Sequence, residues 1–370
     1  MSVYKRYELG AVCDRLSSGK SIPASQILEQ GPFPVYGGNG LRGYTNHSNF
    51  SGECAIIGRQ GVFCGNVRYF KGEAYMTEHA VVVCANKEHN TRYLSYLLST
   101  MNLGRLSGQS AQPGLSVKTL AKQIVELPSL EQQNKVVNIL AALDTKIELN
   151  QRINDNLEQQ ALVIFAEYFL NSSDLPNGWR KGNLLEIANY LNGLAMQKYR
   201  PKEGKVGLPV LKIKELRQGL CDDTSELCSP DIKPEYIVHD GDVIFSWSGS
   251  LLVDFWCGGT CGLNQHLFKV TSKKYDKWFY YCWTLHHLNR FIAIASDKAT
   301  TMGHIKREEL TKAEVLIPSK SDYDEIGAVM KPIYDLIIAN RIENRKLMKV
   351  RDCLLPRLIS GEVIPFLENF

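Results

Sequence analysis

The segment Ser18-Gly19-Lys20-Ser21 has residue types that could bind a nucleotide phosphate, because it matches the end of a phosphate-binding loop. That motif also needs a glycine five residues before Gly19, and Asp14 stands there instead. The chain has no glycine-rich fingerprint for a dinucleotide or S-adenosylmethionine, and no Asn-Pro-Pro-Tyr-like motif for amino-group methylation. Pro230-Asp231 could open a nuclease motif, but no Glu-x-Lys follows it. We therefore predict no catalytic residue.

Metal binding is the second chemistry to consider. Possible ligands with loose zinc-like spacing are Cys221, Cys228, Cys257, Cys261 and His266. Neither cysteine pair has the tight Cys-x-x-Cys spacing of a structural zinc site, so free thiols are favoured and no metal site is predicted. His79 and His266 each adjoin an apolar, β-like run without an evident nucleophile or carboxylate partner, which favours structural histidines.

Basic residues cluster in two stretches of the chain. Seven basic and two acidic residues between 198 and 217 give a local charge of +5. Residues 101–125 contain no acidic residue, and they include Arg105, Lys118, Lys122 and several amide and hydroxyl side chains. Guanidinium and amide groups can read base edges, whereas lysines suit phosphates. Both stretches are therefore candidates for binding nucleic acid, and a solvated basic face is the alternative for either one alone.

Length and composition limit the classes of protein that remain. The 370 residues predict about two domains, at roughly 100–200 residues each. No purely apolar run is longer than the one at 80–85, which is far short of the roughly 20 residues of a membrane span, and the N-terminus leads into no apolar signal segment. Ten dispersed cysteines suggest reduced thiols in a cytoplasmic protein. The net charge of +4 permits a nucleic-acid partner without requiring one.

The elements that carry these residues repeat after 190 residues. Leu115, Leu120, Val125, Leu127, Pro128 and Ser129 return in type as Ile305, Leu310, Val315, Ile317, Pro318 and Ser319. Upstream, β-rich runs are predicted at 54–58, 80–85, 243–246 and 267–270, and helical patterns at 91–102 and 277–295. The chain is thus interpreted as an α+β protein built from two similar mixed α/β domains, each followed by a long helix.

Each repeat ends in a heptad pattern. Its positions are Val136, Leu140, Leu143, Ile147, Asn150, Asn154, Leu157, Ala161 and Ile164, and then Ile326, Met330, Ile333, Ile337, Asn340, Asn344, Leu347, Arg351 and Leu354. Residues 130–169 contain no Pro or Gly, and Ser129 with Gln132 predicts a capping box. In the second helix, Gly327 and Pro332 predict a kink or a late start, and Pro356 predicts the end.

Two asparagines lie in the middle of each seam: Asn150, Asn154, Asn340 and Asn344. So narrow a seam predicts helix-on-helix pairing, and only antiparallel helices would bring the two middles together. A buried amide without a partner costs about 1–3 kcal/mol, so mutual hydrogen bonds would set the register. The alternative is that all four amides face solvent at a splayed centre. An antiparallel coiled coil with a pseudo-twofold axis would hold two similar domains at a fixed distance, which suits an elongated, bipartite target such as DNA.

Five motifs are spread over the full length. They are Pro-Val-Tyr-Gly-Gly-Asn-Gly at 34–40, Ser-Ala-Gln-Pro-Gly-Leu-Ser at 110–116, Leu-Pro-Ser-Leu-Glu-Gln-Gln at 127–133, Leu-Asp-Thr-Lys-Ile at 143–147 and Leu-Leu-Pro-Arg-Leu-Ile-Ser-Gly-Glu at 354–362. Together they resemble the specificity (S) subunits of type I restriction–modification systems. One departure is that Ser319-Lys320-Ser321-Asp322 replaces the Pro-Ser-Leu-Glu-Gln-Gln start in the second helix.

The resemblance implies two target-recognition domains, at 1–128 and 171–318, each followed by a long spacer helix, at 129–170 and 319–370. Each domain would read one half of a split DNA site, and the chain itself would not be an enzyme. The implied partners are double-stranded DNA, two methyltransferase (M) subunits and restriction (R) subunits. Cofactors would belong to the partners: S-adenosylmethionine in M, for adenine N6 methylation, and ATP and Mg in R. The chain itself would bind none.

We expect residues of both domains to face DNA. In the first they are Lys20, Tyr36, Asn39, Arg42, Arg59, Arg68, Gln109, Ser110, Gln112 and Lys118, and in the second Tyr199, Arg200, Lys202, Lys212, Lys214, Ser248, Lys298 and Thr300. Two other classes stay open. A nuclease or methyltransferase with its own site is disfavoured by the missing motifs, and a coiled-coil adaptor that binds no DNA is disfavoured by two large domains with basic clusters.

Overall fold

The computed structural model describes residues 4–107, 114–171, 174–297 and 304–364. The chain divides into two compact units. Residues 1–145 and 349–370 form the first unit, and residues 146–348 form the second. Among the described residues, no helix combines the length and the apolar character needed to cross a membrane.

The first half of the chain begins with strands and ends in a helix of 40 residues. Its elements are β1 (Lys5–Glu8), β2 (Cys13–Ser18), β3 (Phe33–Gly37), β4 (Gly40–Thr45), β5 (Phe50–Gly58), β6 (Val67–Met76), β7 (Ala80–Ala85), α1 (Thr91–Thr100), α2 (Val117–Ala121), β8 (Ile124–Leu127) and α3 (Leu130–Phe169). The predicted strands at 54–58 and 80–85 and the predicted helix at 91–102 are confirmed as β5, β7 and α1.

Six of these strands form one sheet in the order β2-β7-β5-β6-β3-β4, and β1 pairs with β8 separately. All pairs in the large sheet are antiparallel except β3 with β6. Helix α1 is capped by Asn90, whose side chain accepts a hydrogen bond from the Tyr93 backbone N–H at 3.0 Å. Its buried face packs Tyr93 and Leu98 against Ile57 of the sheet.

The second half repeats this plan with more short elements. They are β9 (Arg180–Asn183), α4 (Leu184–Ile187), β10 (Asn189–Asn192), β11 (Leu208–Leu211), α5 (Ile213–Gln218), β12 (Leu227–Cys228), β13 (Ile237–Val238), β14 (Asp242–Ser246), β15 (Leu252–Trp256), β16 (Cys261–Leu263), β17 (Leu267–Thr271), α6 (Lys277–His286), α7 (Leu288–Asp297), α8 (Glu308–Thr311), β18 (Glu314–Ile317) and α9 (Lys320–Ile359). The strands predicted at 243–246 and 267–270 are confirmed as β14 and β17.

Glycines account for a difference between the two sheets. The ten-residue strand β6 of the first unit corresponds to two strands of the second, β15 and β16, because Gly258-Gly259 interrupts the extended backbone between them. Gly259 has a φ of +96°, which residues with a Cβ rarely adopt. The second unit therefore has two four-stranded sheets, β10-β17-β14-β15 and β12-β11-β16-β13, besides the pair β9–β18.

One predicted helix is wrong in extent. Residues 277–295 were expected to form a single helix, but α6 ends at His286 and α7 begins at Leu288. The break falls at His287, whose ring Nε2 donates a hydrogen bond to the carbonyl of Glu314 at 2.8 Å. The side chain thus ties the junction of the two helices to strand β18.

The offset of 190 residues is preserved in the two long helices, since Leu130–Phe169 and Lys320–Ile359 differ by that number at both ends. Their N-terminal caps also correspond. Ser129 Oγ accepts from the Gln132 N–H at 3.4 Å, and Ser319 Oγ accepts from the Asp322 N–H at 3.2 Å. The predicted capping box is only half present, because the buried Gln132 Oε1 has no hydrogen-bond partner among the described residues.

The start and end predicted for the second helix are wrong. Helix α9 begins at Lys320, continues through Gly327, Pro332 and Pro356, and stops at Ile359. Each proline removes one backbone donor, which frees the carbonyl four residues earlier. Those carbonyls belong to Ala328 and Asp352, which are exposed like both prolines, so water can satisfy them. A proline on the solvent face therefore costs this helix less than one on the seam.

The antiparallel pairing of α3 and α9 is confirmed by hydrogen bonds among the four seam asparagines, which are at most 8% exposed. Asn150 Nδ2 donates to Asn344 Oδ1 at 2.9 Å, and Asn340 Nδ2 donates to Asn154 Oδ1 at 2.9 Å. Two further donors point to backbone: Asn344 Nδ2 to the Ile147 carbonyl at 3.1 Å, and Asn154 Nδ2 to the Ile337 carbonyl at 3.2 Å. These four bonds map onto one another by adding 190, as expected for a pseudo-twofold helix pair, and Asn150 Nδ2 alone also donates to Glu343 Oε2 at 2.6 Å.

Burial agrees with the seam over both helices, because all eighteen predicted heptad positions are buried or half-buried.

All ten cysteines are free thiols, as predicted. Burial raises the pKa of the Cys54 thiol to about 12, which keeps it protonated and unreactive near neutral pH.

We expect Asn154→Ala to lower the free energy of unfolding by about 1–3 kcal/mol, because Asn340 Nδ2 and the Ile337 carbonyl would lose their partner in a buried seam. Asn156→Ala, an exposed position on the same helix, is the matched control and should change it by less than about 0.5 kcal/mol. Urea titrations of the full chain, followed by circular dichroism, measure both values. Equal losses for the two variants would contradict the role of the seam amides.

Candidate nucleic-acid interface

In the first unit, several residues predicted to bind DNA surround the hairpin turn between β3 and β4. A Cβ added to Gly40 would lie 3.1 Å from the Arg68 guanidinium carbon, and one added to Gly37 would lie 2.7 Å from Arg42 Cδ. A Cβ on Gly38 would be 3.0 Å from the His79 carbonyl. Glycine suits this turn because Gly40 has a φ of +97° and a Cβ on Gly38 would crowd a backbone carbonyl, while the two arginines pack against the turn with flexible side chains. The structure brings Tyr36, Asn39, Arg42, Arg59 and Arg68 to one edge of the sheet.

The charges at this edge are uncompensated. Within the described residues, Lys20, Arg42, Arg59 and Arg68 form no ion pair. Lys20 follows the end of β2, and its backbone N–H donates to the Met76 carbonyl at 2.9 Å. Burial raises the pKa of Tyr36, so its phenol stays protonated and can donate a hydrogen bond. Unpaired cations beside a hydroxyl and an amide, Asn39, are suited to phosphates and base edges.

Of the other first-domain residues predicted to bind DNA, one lies within the described part of the chain and three lie outside it. Lys118 is exposed on the short helix α2. Gln109, Ser110 and Gln112 lie outside the described residues, and the same holds for Lys298 and Thr300 of the second domain.

The basic stretch of the second unit is largely neutralised in the fold. Glu226 pairs with Lys212 at 2.5 Å and with Arg200 at 3.3 Å. Asp231 pairs with Lys205 at 2.6 Å, and Lys214 Nζ donates to Thr224 Oγ1 at 2.9 Å. Between 198 and 231 the sequence has seven basic and six acidic residues, so the net charge is only +1. Tyr199 and Lys202 are exposed.

These acidic partners were missed because they follow in the chain and reach the basic residues only through strand pairing. β12 runs antiparallel to β11, with Leu208 opposite Cys228, which returns the acidic segment to the basic one. Hydrogen bonding to Lys212, helped by its charge and that of Arg200, lowers the pKa of Glu226, so this carboxylate stays ionised.

The segment that contains Lys212 and Lys214 nevertheless has a position in the second domain equivalent to that of the β3–β4 hairpin turn in the first. Ser248 lies beside this segment. The Thr77 N–H donates to the Tyr36 carbonyl at 2.9 Å, and the Asn264 N–H donates to the Leu211 carbonyl at 3.2 Å. Both contacts continue a parallel strand pair, β3 with β6 and β11 with β16. Residues that follow Tyr36 are therefore equivalent in position to those that follow Leu211. The chain continues there into strand β4 in the first domain and into helix α5 in the second.

Ser248 lies close to this place. It is 5% exposed and forms a β-bridge with His304, and a Cβ on the next residue, Gly249, would lie 3.7 Å from Ile213 Cδ1 at the start of α5. Our sequence reasoning missed its neighbour Trp247, whose Nε1 donates to Asn192 Oδ1 at 2.9 Å. An aromatic residue directly after the strand predicted at 243–246 was the available signal.

The candidate metal ligands are not gathered into one centre. Cys257 lies among Arg341, Asp254 and Asp240, whereas Cys221 and Cys261 contact each other elsewhere. Among the residues that the structure describes, no three His, Cys, Asp or Glu side chains are placed to hold a metal ion.

A family model for the type I restriction modification DNA specificity domain matches residues 1–159 and 176–349, which is most of the chain. The chain belongs to this family. Membership identifies it as a specificity subunit, a non-catalytic component of a type I restriction–modification enzyme, and confirms the resemblance found in the sequence motifs.

Relatives and solved structures agree with this membership. The specificity subunit of the type I enzyme EcoprrI from Escherichia coli is 41% identical over 145 residues, 38% of this chain and 36% of that protein. The MjaIX specificity subunit from Methanocaldococcus jannaschii is 27% identical over 308 residues, 74% of this chain and 69% of that protein. The S subunit crystal structure from M. genitalium has a TM-score of 0.64 at 15% identity, covering 99% of this chain and 97% of that one, so it supports the fold.

The pairing of Glu226 with two cations leads to a test. Glu226→Gln should raise the affinity for duplex DNA of unrelated sequence about two- to fivefold, because Lys212 and Arg200 would be released for phosphates. Lys212→Ala should weaken binding to all sequences and reduce the salt slope by about 1. Titrations over several salt concentrations measure both effects.

Glu314→Gln is the control, because Glu314 forms a similar, somewhat more exposed pair with Lys181 at 2.9 Å on the separate β9–β18 sheet. An affinity gain as large for this variant as for Glu226→Gln would show a general charge effect. An unchanged salt slope in Lys212→Ala would remove Lys212 from the interface.

Proposed function

We propose that this specificity subunit binds double-stranded DNA and reads a split site, with one half read by each of its two domains. The observation that carries the proposal is the equivalence of the two candidate edges. Segments with different sequences follow equivalent strands in the two repeats, and both contain residues predicted to bind DNA. They are Gly37–Gly40, after Tyr36 of β3, and Lys212–Lys214, after Leu211 of β11. A surface built twice in one chain suits a target with two similar parts.

The two edges would contribute differently to affinity. In the first, Lys20, Arg42, Arg59 and Arg68 form no ion pair with any other residue that the structure describes, which supports strong contacts with phosphates and with guanine edges. The second has cations already shared with Glu226 and Asp231, which supports weaker electrostatic attraction and a larger role for its aromatic and hydroxyl groups. We therefore infer that non-specific, salt-sensitive binding depends mainly on the first domain.

We assign the target-recognition domains to 1–128 and 171–318 and the spacer helices to 129–170 and 319–370. In this proposal the helix pair sets the gap between half-sites and binds two methyltransferase subunits, and restriction subunits join for cleavage. S-adenosylmethionine would act in the methyltransferase subunits, and ATP and Mg in the restriction subunits, with no cofactor bound by this chain. Because its target is DNA, we propose that it works in the cytoplasm.

Exchange of residues 1–128 for the first domain of another family member should change one half of the methylated motif and leave the other half and the gap intact. The reason is that each domain has its own core and its own candidate edge. Methylome sequencing of a host that carries the chimera tests this. A change in both halves, or in neither, would contradict independent readers.

Insertion of four residues after Leu149 should lengthen α3 by about 6 Å, close to two base pairs at 3.4 Å each. It would also move Asn150 and Asn154 out of alignment, whereas a full heptad of about 10 Å would keep the seam. We expect a longer gap with unchanged half-sites. Because each added base pair rotates the second half-site by about 34–36°, activity should survive only where length and phase both match.

Methylome sequencing of the insertion variants measures the gap directly. The heptad insertion is the control for disruption of the seam, because it preserves the apolar pattern. An unchanged gap together with altered half-site bases would refute the spacer role of the helices.

A further inference from the structure

Two residues with different side chains, Arg59 and Trp247, occupy the same backbone position in the two domains. Each directly follows a central strand, β5 or β14. The Arg59 N–H donates to the His79 carbonyl at 3.0 Å, and the Trp247 N–H donates to the His266 carbonyl at 3.4 Å. Their own carbonyls also accept equivalent bonds, from the Leu115 N–H at 2.8 Å and from the Ile305 N–H at 3.1 Å.

The side chains are held by equivalent partners as well. Arg59 Nη1 donates to Ser18 Oγ at 3.4 Å, and Trp247 Nε1 donates to Asn192 Oδ1 at 2.9 Å. These partners occupy equivalent positions, because Ser18 ends β2 and Asn192 ends β10. The glycine that follows each one also donates an equivalent backbone hydrogen bond: the Gly19 N–H to the Ala80 carbonyl and the Gly193 N–H to the Leu267 carbonyl, both at 3.0 Å. The fold thus presents one half-exposed side chain at a matching point of each domain and orients it by a hydrogen bond.

Polar groups around both positions lack partners. Thr77 is fully buried, yet its Oγ1 has no hydrogen-bond partner among the described residues and lies 3.5 Å from where a Cβ of Gly37 would stand. In the second domain the ring of His266 lies 6.0 Å from that of Trp247, and its buried Nδ1 also has no partner in the described part of the chain. Buried polar atoms are rarely left unpaired, which points to a ligand with hydrogen-bonding edges at these places.

We propose that Arg59 and Trp247 are matching specificity-determining residues, each reading a base pair in a different half-site, with Ser18 and Asn192 as their positioning residues. The inference rests on the proposed function and names the readers within it. Arg59 has donors beyond the one shared with Ser18, so it suits the O6 and N7 acceptors of guanine. Trp247 has its only donor engaged by Asn192, so it presents an apolar ring suited to a thymine methyl group.

The test uses host strains in which the chromosomal copy of this chain carries each variant, with methylome sequencing as the readout. Arg59→Ala should relax one base pair in one half-site, with its preference for guanine falling about tenfold or more. Trp247→Ala should relax one base pair in the other half-site, and Trp247→Phe should retain most of the preference. Trp247→Arg should shift the second half-site towards guanine.

Four further variants separate base reading from a general effect of charge and from loss of folding. Arg6→Ala removes an arginine that pairs with Glu126 on the β1–β8 sheet, and it should leave the motif unchanged. Asn192→Asp keeps the acceptor for Trp247 and should keep the preference, whereas Asn192→Ala should weaken it without changing the salt dependence of binding. Arg59→Gln keeps a polar side chain, so it tests the first position even if Arg59→Ala fails to accumulate. Trp247→Phe does the same for the second position if Trp247→Arg fails to accumulate.

The outcomes are distinct. Relaxation in opposite halves supports the proposal. Lower methylation with an unaltered motif would overturn it, because these residues would then contact only the backbone, and so would changes confined to the same half. If the wild-type host showed no split motif that depends on this chain, the proposed function itself would fail, and this inference with it.

Discussion

The reciprocal hydrogen bonds of four buried amides are the constraint on which the helix pair depends. Apolar side chains in a seam can slide by a heptad and still find apolar neighbours, so they select a register weakly. Amides cannot, because a slip would leave the Asn150 donor and the Asn344 acceptor facing hydrocarbon at about 1–3 kcal/mol each. The polar centre therefore gives up some stability in exchange for one defined alignment of α3 and α9.

Within each unit, charged groups tie the helices to the domain that they support. In the second unit, Arg341 bridges Asp254 of β15 at 2.6 Å and Glu158 of α3 at 2.7 Å, and Arg345 binds both carboxylate oxygens of Asp240 at 2.7 Å. In the first unit, Asp144 accepts from Tyr96 and pairs with Arg92 and with Arg351 of α9. These contacts join both helices to the same domain, so the orientation of a candidate DNA-binding edge depends on side chains far from that edge.

The sequence predicted the parts of the structure that depend on local periodicity, and missed those that depend on partners distant in the chain. The heptads predicted α3 and its seam, and the asparagines predicted the pairing. The prolines of α9 misled us because the penalty for Pro332 depends on which face it occupies. The basic stretch at 198–217 looked strongly charged because the strand return that brings Glu226 to Lys212 leaves no local pattern. Trp247 was missed for the same reason, since its role shows only once Asn192 and His266 are beside it.

The return of α9 to the first unit has a consequence for the order in which the protein is completed. Leu358 and Ile359 belong to the same buried core as Leu9 and Leu120, so the unit that the ribosome makes first lacks part of its core until the last residues appear. The residues between 145 and 349 take about 10–40 s to synthesise, at about 5–20 residues per second. The second unit is one continuous stretch and can close earlier. Loss of the last turns of α9 would therefore injure a unit whose other core residues lie more than 200 positions earlier in the chain.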